Sequence, residues 1–416
     1  MKHPKPKIAV VTNIAWNIYN FRRDLIVAIK EAGYEPVLMA AYDKYAEKLK
    51  EEGWEFVPLK NLQRTGINPI KDLKLLFDFI RIYKTHSIKC ALHYTAKPLV
   101  YASLSASILK IPYLPTITGL AGPFSGDRSI ICKIVTQLYK LSLHKSYKVI
   151  FQNNEDCKFF LDKKITELKR SIVVNGSGIN LDNFCSELYE LPPKDKIVFL
   201  MFARLSKAKG VEYYVNAARE VKKKFPHVVF KLAGPFDSDK LAIGRKEVEK
   251  WQQEGVIEYI GVSDAIQKEI CKAHVIVYPS YYMEGIPKSL IESAAMSRPI
   301  ITTNHVGCRE VVQHGVNGFL VPIKNTQALA EACERFIGMS EEEREQFGKA
   351  SQKIAFERFD GRKINREYLG LIKDCLKDDK QNKKIDKFQF ENVHDIVYKV
   401  ISQKRDEKIY SEEIKE

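Results

Sequence analysis

The sequence predicts an α/β protein built from two doubly wound domains that face a shared cleft. Three observations carry that expectation. Strand-like β-branched runs alternate with amphipathic helical stretches from residue 7 to about residue 375. The alternation falls into two series, separated at 173–196 by a stretch rich in Gly, Asn and Asp that ends in Pro192-Pro193. A hydrophobic content of 45% with 11% aromatic residues belongs to a chain with packed cores and excludes a disordered one.

In the first series, strands are predicted at 7–13 ("KIAVVTN"), 35–40, 89–93 ("KCALH"), 148–152 ("KVIFQ") and 171–174. Runs this apolar on both faces belong to a parallel sheet covered by helices. The helices are predicted at 20–32, closed by Gly33, and at 69–86, 98–109, 130–147 and 154–162. In the second series the strands fall at 196–203 ("KIVFLMFA"), 228–233, 256–260, 274–279 ("HVIVYP"), 299–303 and 318–321, with helices between them. Residues 1–180 then form the first domain, 181–195 a linker and 196–360 the second domain, with a return helix at 361–376 on the first. From Leu376 to the end there are ten basic and ten acidic residues, so 377–416 reads as a charged appendage.

The formal net charge of +15 is uneven: residues 1–190 hold 28 basic against 18 acidic residues. Such an excess implies acidic partners, whether nucleic acid, anionic lipid or a phosphate-bearing small molecule, and does not separate them. Eight cysteines without a C-x-x-C pair point to a reducing compartment with no disulfide framework. The most apolar stretch, 99–122, is broken by Lys110, Pro112 and Pro115, so no membrane span is predicted. "MKHPKPK" runs straight into a strand, without the apolar core of a signal peptide, and predicts a cytoplasmic protein.

The residues that carry chemistry stand at strand ends. "YYMEGIPKSLIESAAM" (281–296) holds Glu284 before a helix start and Glu292 inside it. Pro287 suits the first helical turn, where its missing N–H has no partner to lose. The N–H groups of Gly285, Ile286, Lys288 and Ser289 then point out of the helix N-terminus, where the dipole favours an anion. An anion site between two carboxylates fits a molecule with phosphate in the middle and hydroxyls at both ends, the shape of a nucleotide sugar. A solvated helix face is the competing reading, and periodicity alone favours it.

"FARLSKAKG" (202–210) shifts the balance, because Arg204 and Lys209 follow an apolar strand and Gly210 opens a helix. Cleaving a sugar–diphosphate bond leaves extra negative charge on the terminal phosphate, and fixed cations stabilise it most in the transition state. Lys207 is read as an ordinary basic loop residue. His93, in "CALHYTAKP" (90–98), ends a first-domain strand and would face a cleft from the wall opposite Glu284, although a lone histidine is more often structural. "DSD" (237–239) is read as a turn and helix N-cap, and "GSG" (176–178) as linker. No His/Cys/Asp cluster has metal-ligand spacing, so no metal or other cofactor is expected and the cations take that role.

Glu284 to Glu292 matches the Glu-x7-Glu signature of the retaining, nucleotide-sugar-dependent glycosyltransferases of family 4, and the chain resembles that family over most of residues 5–375. "RLSKAKG" is similar to its R-L-x-x-x-K-G, "RPIITTNHVGCREVVQHGVNGFLVP" (298–322) to its C-terminal block, and "NGSGINLDNF" to its interdomain G-[VI]-D-x-x-x-F, with Asn180 where an acid is usual. "AWNIYNFR" (15–22), "HYTAKP" (93–98) and "TITGLAGPF" (116–124) look like the bacterial branch that builds capsule, O-antigen and lipid-linked glycans; it includes N-acetylgalactosaminyltransferases acting on undecaprenyl-diphosphate-linked sugars. Many relatives read "TGLG" where this chain has Ala121-Gly122.

The resemblance implies a GT-B fold of two Rossmann-like domains, the first binding the acceptor and the second the nucleotide sugar. It implies that Arg204 and Lys209 hold the donor diphosphate and that Glu292 takes the ribose hydroxyls. Glu284, with the backbone of Gly285, Ile286, Pro287 and Lys288, would position the donor sugar, and His93 would bond it near the anomeric carbon. Gly261 and Val262 would lie by the nucleobase, and Asn20, Thr118 and Gly119 on the acceptor side. Transfer would proceed with retention and without a metal, by front-face attack in which the leaving phosphate takes the acceptor's proton. The implied donor is a UDP-sugar (hexose or N-acetylhexosamine) and the implied acceptor a lipid-linked, undecaprenyl-diphosphate saccharide of bacterial surface polysaccharide or glycan biosynthesis. Nucleic acid is not an implied partner.

The basic N-domain fits an anionic membrane surface at the inner face of the cell membrane. In "SIICKIVTQLYKLSLHKSYK" (129–148) a stripe of Ile131, Ile134, Leu138 and Leu141 stands beside Lys133, Lys140, Lys145 and Lys148. An ordinary helix covering the sheet explains the stripe equally well. The alternatives are a family member with a soluble acceptor or a GDP- or ADP-sugar donor, and, from another class, a non-enzymatic nucleotide or nucleic-acid binder.

Overall fold

Among the described residues, seven short runs pair side by side in the first domain: β1 (Lys7–Ile14), β2 (Glu35–Ala41), β3 (Glu55–Pro58), β4 (Ile88–Tyr94), β5 (Tyr113–Ile117), β6 (Val149–Phe151) and β7 (Ser171–Val173). Their order across the sheet is β3-β2-β1-β4-β5-β6-β7 and their pairing is parallel. The computed structural model describes residues 4–62, 68–120, 130–184, 190, 192–193, 195–237, 241–263 and 265–381. The connecting helices are α1 (Ala15–Phe21), α2 (Arg23–Glu31), α3 (Lys44–Glu51), α4 (Pro69–Thr85), α5 (Ala96–Leu109), α6 (Ile130–Leu143) and α7 (Asn154–Asp162).

The second domain repeats the plan with β8 (Val198–Phe202), β9 (Val229–Ala233), β10 (Glu258–Tyr259), β11 (Val275–Tyr278), β12 (Ile300–Thr303) and β13 (Gly318–Val321), ordered β10-β9-β8-β11-β12-β13. Its helices are α8 (Val211–Lys224), α9 (Arg245–Gln253), α10 (Ile266–Cys271), α11 (Lys288–Ala295), α12 (Thr326–Ile337) and α13 (Glu341–Arg358). A last helix, α14 (Gly361–Gln381), returns to the first domain.

Strand alternation decides which core each side chain enters. On one face of the first sheet Ile8, Val10, Cys90, Leu92 and Tyr94 pack with α1, α2 and α14; on the other Ala9, Val11 and Ala91 pack with α4 and α5. The return helix contributes Ile364, Tyr368, Ile372 and Cys375 to the first of these cores. The chain crosses between domains where Ile179 runs beside Asp360, with the Ile179 N–H donating to the Phe359 carbonyl at 3.1 Å and the Gly361 N–H to that of Ile179 at 2.8 Å.

The differences from the sequence reading have local causes. β5 and β3 were not expected: β5 carries Pro115, which reads as a break yet pairs in register with His93, and β3 is four residues in a charged stretch. The helix expected at 20–32 begins at Ala15 and breaks at Arg22, whose φ of −128° interrupts it. The start of the expected linker is packed rather than loose, since Leu181 and Phe184 are buried in the second domain's core. The return helix runs past residue 376 to Gln381, and 382–416 lie outside the described residues.

Candidate active site

Each sheet reverses its order of growth at one strand pair, β1/β4 in the first domain and β8/β11 in the second, and ligands of doubly wound sheets sit at the carboxyl ends of such strands. The segments that follow β1, β5 and β6 in the first sheet and β8, β9 and β11 in the second line one cleft of about 430 Å³.

On the second-domain wall, Gly210 has φ +82°, and a Cβ there would lie 2.1 Å from the Pro279 carbonyl oxygen. Only glycine lets the loop after β8 press this closely on the loop after β11. The consequence is a contact of 2.6 Å between Lys209 Nζ and Glu284 Oε2, with both side chains largely buried. The other carboxylate oxygen, Oε1, accepts from Tyr278 Oη and Ser280 Oγ, each at 2.9 Å. Three donors therefore fix the Glu284 carboxylate. Glu292 also lines the cleft, 3.5 Å from Lys288 Nζ; burial pushes its carboxyl up and Lys288 partly offsets this.

Arg204 lines the same cleft and pairs with Asp237, a side chain only 2% exposed. This corrects the reading of Asp237 as a simple turn residue: it is the counter-charge of Arg204. The remainder of the "DSD" stretch, 238–239, lies outside the described residues. Val262 lines the cleft and is 65% exposed, while the Gly261 carbonyl accepts the Gly234 N–H at 2.8 Å.

Two expectations about the α11 tip need correction. Pro287 is the N-cap residue, one position before the first helical turn. The amides ahead of it are not turned to an open pocket: the Gly285 N–H donates to the Thr118 carbonyl at 3.0 Å, and the Ile286 N–H to Gln152 Oε1 at 3.3 Å. Lys288 Nζ donates to the Asn20 carbonyl at 2.5 Å. First-domain groups thus grip the loop that carries Glu284. Gly119 makes the grip possible, since a Cβ on it would stand 2.6 Å from the Met283 carbonyl oxygen and its φ is +125°.

His93 is the clearest correction. It does not face the cleft. As an odd-numbered residue of β4 it points with Ala9, Val11 and Ala91 toward α4 and α5, and it is fully buried. Its Nε2 bonds Tyr83 Oη and its Nδ1 bonds Ser103 Oγ, both at 2.8 Å. Burial lowers its pKa to about 3, so the ring is neutral and serves the core.

Sequence reasoning missed Gln152, Arg22, Tyr278 and Ser280. Gln152 ends "KVIFQ", and a polar residue closing an apolar strand was the available signal; Arg22 ends "AWNIYNFR". On α6, Leu138 and Leu141 pack against the core while Lys133 is exposed, so that end of the stripe is a core face; Ile134 is half-buried, and the side chain of Ile131 lies outside the described residues. Among the described residues no helix is long and apolar enough to cross a membrane, and no group of three His, Cys, Asp or Glu residues is placed to hold a metal.

Comparison with known proteins follows the same division. Residues 7–153 match the family model described as Glycosyl transferase 4-like, and residues 189–354 that described as Glycosyl transferases group 1. An N,N'-diacetylbacillosaminyl-diphospho-undecaprenol alpha-1,3-N-acetylgalactosaminyltransferase of Campylobacter jejuni is 26% identical over 78% of this chain and 88% of its own length. A UDP-Gal:alpha-D-GlcNAc-diphosphoundecaprenol alpha-1,3-galactosyltransferase of Escherichia coli is 22% identical over 65% of this chain and 72% of its own length. Among solved structures, a glycosyltransferase of Rickettsia africae superposes with a TM-score of 0.71 at 20% identity, covering 90% of this chain and all of its own. Anabaena HepE in complex with UDP gives a TM-score of 0.71 at 16% identity, covering 89% of this chain and all of its own. The two Rossmann-like domains are thus arranged as in GT-B enzymes.

Proposed function

This chain belongs to the group 1, 4-like glycosyltransferases, and from that premise we propose that it moves a hexose or N-acetylhexosamine, with retention, from a UDP-sugar to a lipid-linked saccharide in the making of a surface polysaccharide or glycan. One observation carries the reading: Arg204, Lys209 and Glu284 converge at the tip of α11 in one cleft. A diphosphate there meets two cations that stabilise its growing charge as the glycosidic bond breaks. Glu284 is pre-oriented by three donors toward the sugar, and Glu292, on the same cleft wall, takes the ribose hydroxyls. With His93 in the core, the first-domain side of the sugar pocket falls to Thr118 and Gln152, which touch the Glu284 loop. The leaving phosphate takes the acceptor's proton, which removes the need for a side-chain base, and the fixed cations replace a metal. The diphosphoundecaprenol acceptors named for the Campylobacter and E. coli relatives support the lipid-linked acceptor, and the name of the latter supports UDP. The positive excess of residues 1–190 supports docking at an anionic inner membrane face.

The test is incubation of the purified protein with UDP-, GDP- and ADP-sugars in EDTA, following slow donor hydrolysis and thermal protection. Hydrolysis and protection confined to UDP-sugars are expected, with transfer to extracted lipid-linked saccharides. Protection by GDP or ADP alone would overturn the donor assignment, transfer only to soluble sugar phosphates the acceptor, and loss of turnover in EDTA the metal-free course. Sedimentation with vesicles containing anionic lipid, but not with neutral ones, checks the membrane surface.

A further inference from the structure

We infer that the cleft holds a second anion subsite, on the first-domain wall, built around Arg22 and taking a phosphate group of the acceptor. The identity of the ligand rests on the transfer reaction proposed above; the existence of the subsite rests on Arg22 itself. Arg22 lines the cleft at the break between α1 and α2, yet only 4% of it is exposed. Its guanidinium carbon lies 3.9 Å from the centre of the fully buried Tyr94 ring. Among the described residues no carboxylate pairs with it, and its Nε is buried without a hydrogen-bond partner.

A guanidinium is a fixed cation with five donors in a planar fork. Removing one from water without a counter-charge costs more than an aromatic face returns. A further buried atom without a partner among the described residues, Asn13 Oδ1, stands at the end of β1, and Tyr94 closes β4. These are the neighbouring strands at which the first sheet reverses its order. The equivalent point of the second sheet carries Arg204 and Glu284, and there each cation has an acid: Asp237 for Arg204, Glu284 for Lys209. Arg22 has none. An uncompensated cation at a strand-end switch point, in a shared cleft, is completed by an anion brought from outside, and its fork suits phosphate oxygens. The donor diphosphate has its cations on the opposite wall, which leaves Arg22 for the second substrate.

The experiment is calorimetric titration of the UDP-saturated full chain with inorganic pyrophosphate, farnesyl diphosphate and N-acetylglucosamine 1-phosphate. Pyrophosphate is expected to bind alongside UDP, and Arg22→Met to weaken it by about ten- to a hundredfold. Arg22→Lys keeps the charge but loses the fork and is expected to weaken it by about threefold to tenfold; it decides the matter if Arg22→Met does not fold. Tighter binding of the farnesyl compound assigns the phosphate to a lipid, and tighter binding of the sugar phosphate to a soluble acceptor; either supports the subsite. Failure of the UDP-loaded protein to bind pyrophosphate, or equal affinity in wild type and both variants, would overturn it. Failure of UDP itself to bind would sink the donor reading instead, and the same titration without UDP would still decide this one.

Discussion

The two domains share a strand order and meet at one cleft, yet they present opposite chemistry to it. The second-domain wall offers charges already held by charges: Lys209 on Glu284, Arg204 on Asp237, Lys288 on Glu292. The first-domain wall offers the carbonyls of Thr118 and Asn20, the amide of Gln152 and a guanidinium, Arg22, that has no ion-pair partner among the described residues, and hides its histidine behind the sheet. A doubly wound topology therefore fixes where a ligand lies without fixing what recognises it. On the proposed function, the wall of paired charges would receive a diphosphate that exchanges partners with acids already in place. The wall of carbonyls recognises the other domain.

Four measurements break or sharpen that contrast. The largest effect is expected from the charged wall: Lys209→Met or Arg204→Met should cut turnover by about two to three orders of magnitude, as loss of a charge-stabilising donor does. Near-normal turnover in both would remove the diphosphate from this wall. On the other wall, Gly119→Ala forces a Cβ to within 2.6 Å of the Met283 carbonyl and strains a φ of +125°, which parts the domains. A fall in kcat/KM of about ten- to a hundredfold with an intact fold is expected; unchanged kinetics would mean that the grip is dispensable.

The third measurement asks whether His93 serves stability alone. Its pKa is lowered to about 3 by burial, from an ordinary 6.5. Between those values the unfolded chain binds a proton that the folded chain refuses. The stability this contributes is complete above pH 6.5 and is lost as the pH falls toward 3. In His93→Gln the slope of unfolding free energy against pH should be shallower by about 1.4 kcal/mol per pH unit in that window. Identical slopes would contradict the buried, neutral ring. The smallest effect is expected from Gln152→Ala, which removes one hydrogen bond to the Ile286 amide and should raise the donor KM by about threefold; no change would place Gln152 outside the sugar pocket.

The charged wall was legible in the sequence because its cations and acids stand within a few residues of apolar strand ends, where topology places a ligand. Arg204, Lys209, Glu284 and Glu292 could be singled out for that reason. Asp237 could not, because its partner lies 33 residues away and its own loop reads as a turn. The other wall was harder to read because two of its contacts come from main-chain carbonyls, which no residue type announces. His93 was misplaced because β4 is apolar on both faces, and "KCALH" therefore carries no sign of which side its last residue takes. Most strands came within two residues of their expected bounds; β5 was hidden by prolines that a parallel strand here accommodates.

The return of α14 has a consequence for how the protein is made. Tyr368, Ile372 and Cys375 fill the core beside β1 and β4, so the domain translated first is finished last. While the ribosome adds residues 196–360, the emerging first half carries an open apolar groove along its sheet. A nascent chain interrupted before Gly361 would lose the integrity of its opening segment rather than of its end, and holdase chaperones would find their purchase there.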